Sequence, residues 1–251
     1  MKKYLIPIVS LLTALAIPLA AQKQPQVKSQ KEGEAVTAIF QTQDPDARIV
    51  AVESLLSKFA DTDFKALALY IATISAQQKN DFEKTMLYAE RSLEADPKSY
   101  ATMLIMASGI AQRTREHDLD KEEKLGRAEK LAKDAGELLK TAPKMNPQLT
   151  DEQWELAKKD FEAQKHEALG LIASARKKFD AAIAEYKSAV AANGDPATMV
   201  RLGQAYNFAG KHDDAISVLD QVIGGADVPA EIKQVAQQEK TRAVQAKGAK
   251  K

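Results

Sequence analysis

Three histidines, one tryptophan and no cysteine narrow the chemistry open to this chain. Without cysteine there is no disulfide, no zinc–thiolate or iron–sulfur ligand set, no thiol nucleophile and no lipid-modified lipoprotein N-terminus. A helical zinc site of the H-E-x-x-H kind needs two imidazoles one turn apart. His166-Glu167 opens that pattern, but no second histidine follows, and His117 and His212 stand alone. Gly203 and Gly210-Lys211 carry the letters of a phosphate loop. Six residues separate the glycines where the loop needs four, His212 replaces the magnesium-holding Ser/Thr, and the segment reads as helix. No G-x-S-x-G nucleophile elbow occurs. Carboxylates abound but lie three or four positions from lysines, as with Glu122, Glu123 and Lys130 between Asp118 and Lys133, the usual dressing of solvated helices. The sequence therefore implies no catalytic residue, no metal and no cofactor. An enzyme reading is the remote alternative, with its site hidden in residues 98–165 around His117, Trp154 and His166.

Composition bounds the rest. The 251 residues are 45% apolar and 28% charged, which is globular rather than disordered or polytopic. Basic residues number 36 against 35 acidic ones, so the chain lacks the field of a nucleic-acid binder. Met1-Lys2-Lys3 is a positive start, and Tyr4 to Leu19 is an apolar run of 16 residues closed by Ala20-Ala21 before Gln22-Lys23-Gln24-Pro25. That layout predicts a signal peptide, residues 1–21, cleaved after Ala21, and a periplasmic or secreted chain. The run falls short of the ~20 residues a spanning helix needs, so no stable membrane span is expected after cleavage. Residues 22–34 are polar and read as a flexible lead.

From residue 35 onward no period-2 strand is visible, and apolar residues recur at helical spacing. Ile49, Val52, Leu56 and Phe59 form one stripe, and Phe64, Leu67, Ala68, Ile71 and Ala72 the next. Trp154, Ala157, Phe161, Ala168 and Ile172 follow, then Phe179, Ala182, Ile183 and Tyr186. Asp195-Pro196 predicts a helix start, Thr150-Asp-Glu-Gln153 a capping box, and Gly194 and Gly210 helix ends. Short turns between such helices imply antiparallel neighbours.

The pattern repeats. Leu169-Gly170 returns 33 residues later as Leu202-Gly203, Ala182-Ile183 as Ala215-Ile216, and Ala189-Val190 as Val222-Ile223. Gly170 and Gly203 let a first helix lie close to a second, with Ala182 and Ala215 at the crossing. Leu202-Gly203-x-x-Tyr206, Gly210, Ala215-Ile216 and Pro229 resemble the signature of the tetratricopeptide repeat (TPR) family, whose unit is roughly 34 residues. Residues 163–195 are similar, with Ala173 in place of the tyrosine. Residues 66–97 resemble a third unit through Asn80-Asp81-Phe82, Tyr88-Ala89 and Asp96-Pro97, although Ala72-Thr73 replaces Leu-Gly. A fourth, 98–142, needs a longer internal turn through Arg113 to Lys124, with Gly126-Arg127-Ala128 opening its second helix.

The resemblance implies an all-α, right-handed α-solenoid of antiparallel helix pairs with flanking helices. The expected organisation is N-terminal flanking helices over 35–65, divergent TPR-like pairs over 66–162, two TPR repeats over 163–228, and a capping helix with a basic tail over 229–251. First helices of such repeats line a concave groove, and the family's ligand positions fall on Arg201, Gln204, Asn207 and Phe208. Val200 and Gln204 depart from the Lys and Asn that hold a C-terminal carboxylate. In the preceding unit the positions fall on Gln164, Glu167, Ala168, Leu171, Ser174 and Ala175. In 66–97, Tyr70, Ile74 and Gln77 would face inward. The implied function is an exported, non-catalytic, protein-binding scaffold that takes an extended segment or helix in its groove. A short likeness of residues 52–64 to periplasmic envelope-assembly proteins supports an alternative, a structural subunit acting through its convex face.

Overall fold

Side-chain caps from Ser29, Asp44, Asp81, Thr150 and Asp195 mark the starts of five helices. The computed structural model describes residues 25–144 and 148–249, and the segment read as a signal peptide lies outside them. Ser29 caps α1 (Gln30–Gln41), and Asp44 with Pro45 opens α2 (Pro45–Lys58). Two further helices follow, α3 (Lys65–Gln78) and the Asp81-capped α4 (Phe82–Ala95). Next come α5 (Tyr100–Arg113), α6 (Lys121–Lys140) and α7 (Asp151–Ala175). The C-terminal part holds α8 (Phe179–Asn193), α9 (Pro196–Phe208), α10 (His212–Gly224) and α11 (Ala230–Gly248). At α7, Thr150 and Gln153 form the capping box reciprocally, at 3.1 and 2.9 Å. At α9, Asp195 accepts from the Thr198 amide at 2.7 Å, with Pro196 in the first turn.

Consecutive helices pack against one another along the whole series, and α5 also meets α7 as α9 meets α11. The fold is an α-solenoid of antiparallel pairs, and its buried residues fall into clusters that succeed one another along the chain. The repeat is visible in the turns. The Asp81, Lys178 and Lys211 amides each reach back five residues, to the carbonyls of Ala76, Ala173 and Tyr206, at 2.9–3.0 Å. Asn80, Lys177 and Gly210 sit between, with φ of 55°, 59° and 73°. This is one left-handed helix stop used three times, and only Gly210 occupies it without steric cost. Gly194 ends α8 in the same conformation, φ 68°.

Several details depart from the expectations. The stretch expected to be a loose lead enters helix α1 at Gln30, because Glu32 is buried: its carboxylate accepts from the Thr62 hydroxyl and the Lys28 amide, both at 2.6 Å. Leu55 rather than Leu56 fills the core of α2, and in α3 Leu69 is buried while Leu67 is exposed. Helix α6 begins at Lys121, five residues ahead of Gly126, after a turn in which the Asp118 carboxylate accepts from the Arg115 amide. Helix α7 crosses the predicted boundary at residue 162 without a break. On α11 the buried side is Ala236, Glu239 and Ala243, and Val235 faces out. Two of its basic residues reach α10, Lys240 to Asp220 and Lys247 to Asp213, while Arg242 pairs with Glu239 of its own helix. Among the described residues no helix is long and apolar enough to cross a membrane.

Candidate functional site

The first helix of each of four pairs, α3, α5, α7 and α9, contributes to one cleft of about 610 Å³. Helix α3 supplies Tyr70, Ile74 and Gln77, whose spacing of four and three puts them on one face. From α5 come Leu104 and Ile105, then Ser108 and Gln112 one and two turns on. The long α7 adds Asp160, Phe161, Gln164 and Glu167, again a single stripe, and α9 adds Arg201. Phe161 meets Tyr100 edge to face, with ring centroids 5.0 Å apart at 84°, which fixes the floor between α5 and α7.

Charge in the cleft is unevenly committed. The Arg201 guanidinium lies 2.7 Å from the Glu167 carboxylate. Burial pushes the Glu167 carboxyl above the usual range, with Arg201 acting against that shift. Burial also raises the phenol of Tyr70, and that of Tyr100 to about 12. Both therefore stay neutral near pH 7. Asp160 is exposed, and no ion pair or hydrogen bond of its carboxylate occurs among the described residues. The side chains of Gln77, Gln112 and Gln164 likewise have no hydrogen-bond partner there.

The seven predicted groove residues separate into two sets. Tyr70, Ile74, Gln77 and Arg201 line the cleft together. Gln204 and Asn207 do not: they turn toward α11, where Gln204 Nε2 donates to Glu239 Oε1 at 3.2 Å and Asn207 Nδ2 to the Glu239 carbonyl at 3.0 Å. Asn207 Oδ1 is buried without a partner among the described residues. Phe208 lies away from the cleft, stacked on Phe179 with centroids 5.1 Å apart and 15° between planes. Val200 is buried in the core. These positions take part in docking the chain's own last helix and neighbouring pair.

The residues singled out for chemistry are dispersed. His117 is exposed in the α5–α6 turn, and Trp154 is buried near the start of α7 with Lys158 over its ring at 6.0 Å. His166 Nδ1 lies 2.7 Å from Glu185 Oε2, with Glu162 at 3.9 Å one turn earlier, so it has acidic neighbours that the motif search missed. None of the three lines the cleft. Reading by repeat position also overlooked Ile105, Gln112 and Phe161, which lie where the signature is weakest. Their signal was the ordinary helical stripe, at intervals of three, four and seven residues.

Solved structures similar to this chain include that of a thermophilic TPR protein of Thermus thermophilus, with a TM-score of 0.59 and 17% sequence identity. The match covers 83% of this chain and 98% of that one, a likeness of fold. No protein-family model matches the chain. No curated protein matches it either.

Proposed function

We propose that this protein is a non-catalytic scaffold that holds a segment of a partner protein in the cleft between α3, α5, α7 and α9, and that it works after export. The supporting observation is the make-up of the cleft. Apolar and aromatic side chains form its floor, and at its edge stand amides without partners among the described residues. Such a surface offers further apolar burial to a ligand, and its amides offer hydrogen bonds that no described residue takes up. The solenoid architecture shared with a TPR protein supports the same reading. Export rests on residues 1–21 alone, and its test is N-terminal sequencing of the accumulated protein, expected to begin at Gln22.

Site-specific photo-crosslinking tests the binding. A benzophenone amino acid is placed at Ile105 in the cleft and, separately, at the exposed Leu87 on the outer helix α4. Irradiation of cells producing each variant is expected to give a discrete protein adduct from position 105 and none from 87. Adducts from 87 alone would transfer binding to the convex face, the alternative of a structural subunit in an envelope assembly.

A further inference from the structure

Among the described residues the cleft lining offers no free positive charge. Arg201, the one cation among those lining residues, is held by Glu167 at 2.7 Å, whereas the Asp160 carboxylate is exposed and unpaired among the described residues. A ligand carboxylate entering there would meet Asp160 with no compensating cation, and a ligand ammonium or guanidinium would find an acceptor ready. The amides point to the conformation of the ligand. Gln77, Gln112 and Gln164 come one each from α3, α5 and α7, and every amide offers both a donor and an acceptor. A helix has already used its backbone groups internally, so only an extended segment presents N–H and C=O groups that such amides can bond. Between them lies the apolar floor of Tyr70, Ile74, Ile105 and Phe161, suited to alternate side chains of an extended chain.

Resting on the scaffold reading above, we infer that the occupant of the cleft is an extended peptide segment with apolar side chains at alternate positions and a Lys or Arg placed against Asp160. At a packed-helix spacing of about 10 Å, a surface crossing four helices would extend roughly 30 Å, the span of about nine extended residues. Acidic segments and free C-terminal carboxylates are disfavoured ligands.

The test uses the mature chain and three fluorescein-labelled, end-blocked peptide pools of about nine residues. Leu, Ile or Phe stands at alternate positions, Ser, Thr or Asn fills the others, and one central polar site is fixed as Lys, Gln or Glu. Fluorescence anisotropy is expected to rank Lys above Gln above Glu, with roughly tenfold between the extremes, the scale of one charge-assisted hydrogen bond. Asp160→Lys, an exposed substitution, should invert the order. Gln112→Leu should weaken all three pools alike, because the backbone contact is blind to sequence. Ile105→Glu, with its helicity checked by circular dichroism, should abolish binding. Equal binding of the three pools, or a preference for Glu, overturns the charge inference. If that binding still disappears in Ile105→Glu, the groove reading survives. Binding that persists in Ile105→Glu, or no binding by the unaltered protein, overturns both.

Discussion

Gly170 lies against the ring of Tyr186, so close that a Cβ built on the glycine would stand 2.5 Å from Cε1 of the ring. Thirty-three residues on, Gly203 faces Leu219 in the same way, with its Cβ position 2.7 Å from the leucine Cδ2. In each pair the first helix approaches the second to a distance that no side chain at this position allows, and Ala182 and Ala215 are fully buried in the neighbouring helix.

Gly170→Ala must displace a buried aromatic ring, and the expected loss is about 1–3 kcal/mol. Gly126 provides the contrast: it is also inside a helix, yet a Cβ there meets nothing within 4 Å. Gly126→Ala should therefore gain about 0.5–1 kcal/mol from helix propensity alone. Urea unfolding of the two variants beside the parent measures both signs. A neutral Gly170→Ala would show that the helix crossing is slack.

The turns give a second pair of opposite expectations. Lys177 and Gly210 occupy the same left-handed position one repeat apart. Gly210→Lys imposes on a non-glycine residue a conformation costing about 1 kcal/mol or more. Lys177→Gly relieves that cost but gives up the exposed ion pair with Glu116, so its gain is smaller. The expected order in urea midpoint is Lys177→Gly at or above the parent and Gly210→Lys below it.

How far the sequence could be read depended on what kind of constraint acted. The last two pairs were legible because their glycines, alanines and turn residues obey local geometry that repeats every 33 residues. Leu55 against Leu56, or Leu69 against Leu67, could not be settled locally, since alanine- and leucine-rich runs support two neighbouring stripes. The cleft was half legible. Tyr70, Ile74, Gln77 and Arg201 follow from the helical face, whereas the fate of Gln204 and Asn207 depends on where α11 docks. That docking turns on Glu239, 35 residues from Gln204 and outside any repeat.

Glu239 is a polar knot between α9 and α11. It is 6% exposed and accepts from Gln204, Asn207 and, at 2.7 Å, Arg242. Glu239→Ala leaves the part-buried Gln204 amide without its acceptor, while Asn207 keeps the main-chain carbonyl of residue 239, and the expected cost is about 1–3 kcal/mol. The damage should be local, because terminal elements of a solenoid open first. Hydrogen exchange should accelerate over residues 230–248 and remain unchanged in α3 to α6. Uniform acceleration along the chain would contradict a separable cap.

Alkaline stability follows from the same tyrosine that meets Gly170. Burial raises the Tyr186 phenol to about 12, with the Ser174 hydroxyl acting the other way. Its value in the unfolded chain is about 10. A folded pKa above the unfolded one means that the neutral form's stabilisation is complete below about pH 10 and is lost as pH rises toward 12. Tyr186→Phe cannot ionise, so its urea midpoint should decline less over that range. Parallel declines would mean that Tyr186 does not couple folding to alkaline pH.

The acid side is governed by the outer face, where Lys133 and Arg176 hold the Glu129 carboxyl down to about 2 from an ordinary 4.5. Arg176, at the end of α7, reaches two residues of α6, with Nε 2.9 Å from Glu122 and Nη1 2.6 Å from Glu129. A folded pKa below the unfolded one gives the opposite sign to the tyrosine. The contribution is present above pH 4.5 and disappears as pH falls through about 2. Glu129→Gln should therefore flatten the acid limb of the stability profile within that window and leave the limb above pH 5 parallel to the parent. Because the groups are substantially solvated, the difference should be modest and should shrink in molar salt. An acid limb unchanged by the substitution would make the α6–α7 ion cluster a surface decoration. A variant limb flatter than the parent's, with the gap closing in molar salt as the parent's own limb flattens, would identify it as a tie that keeps the long α7, and with it Phe161 and Asp160, in place against α6.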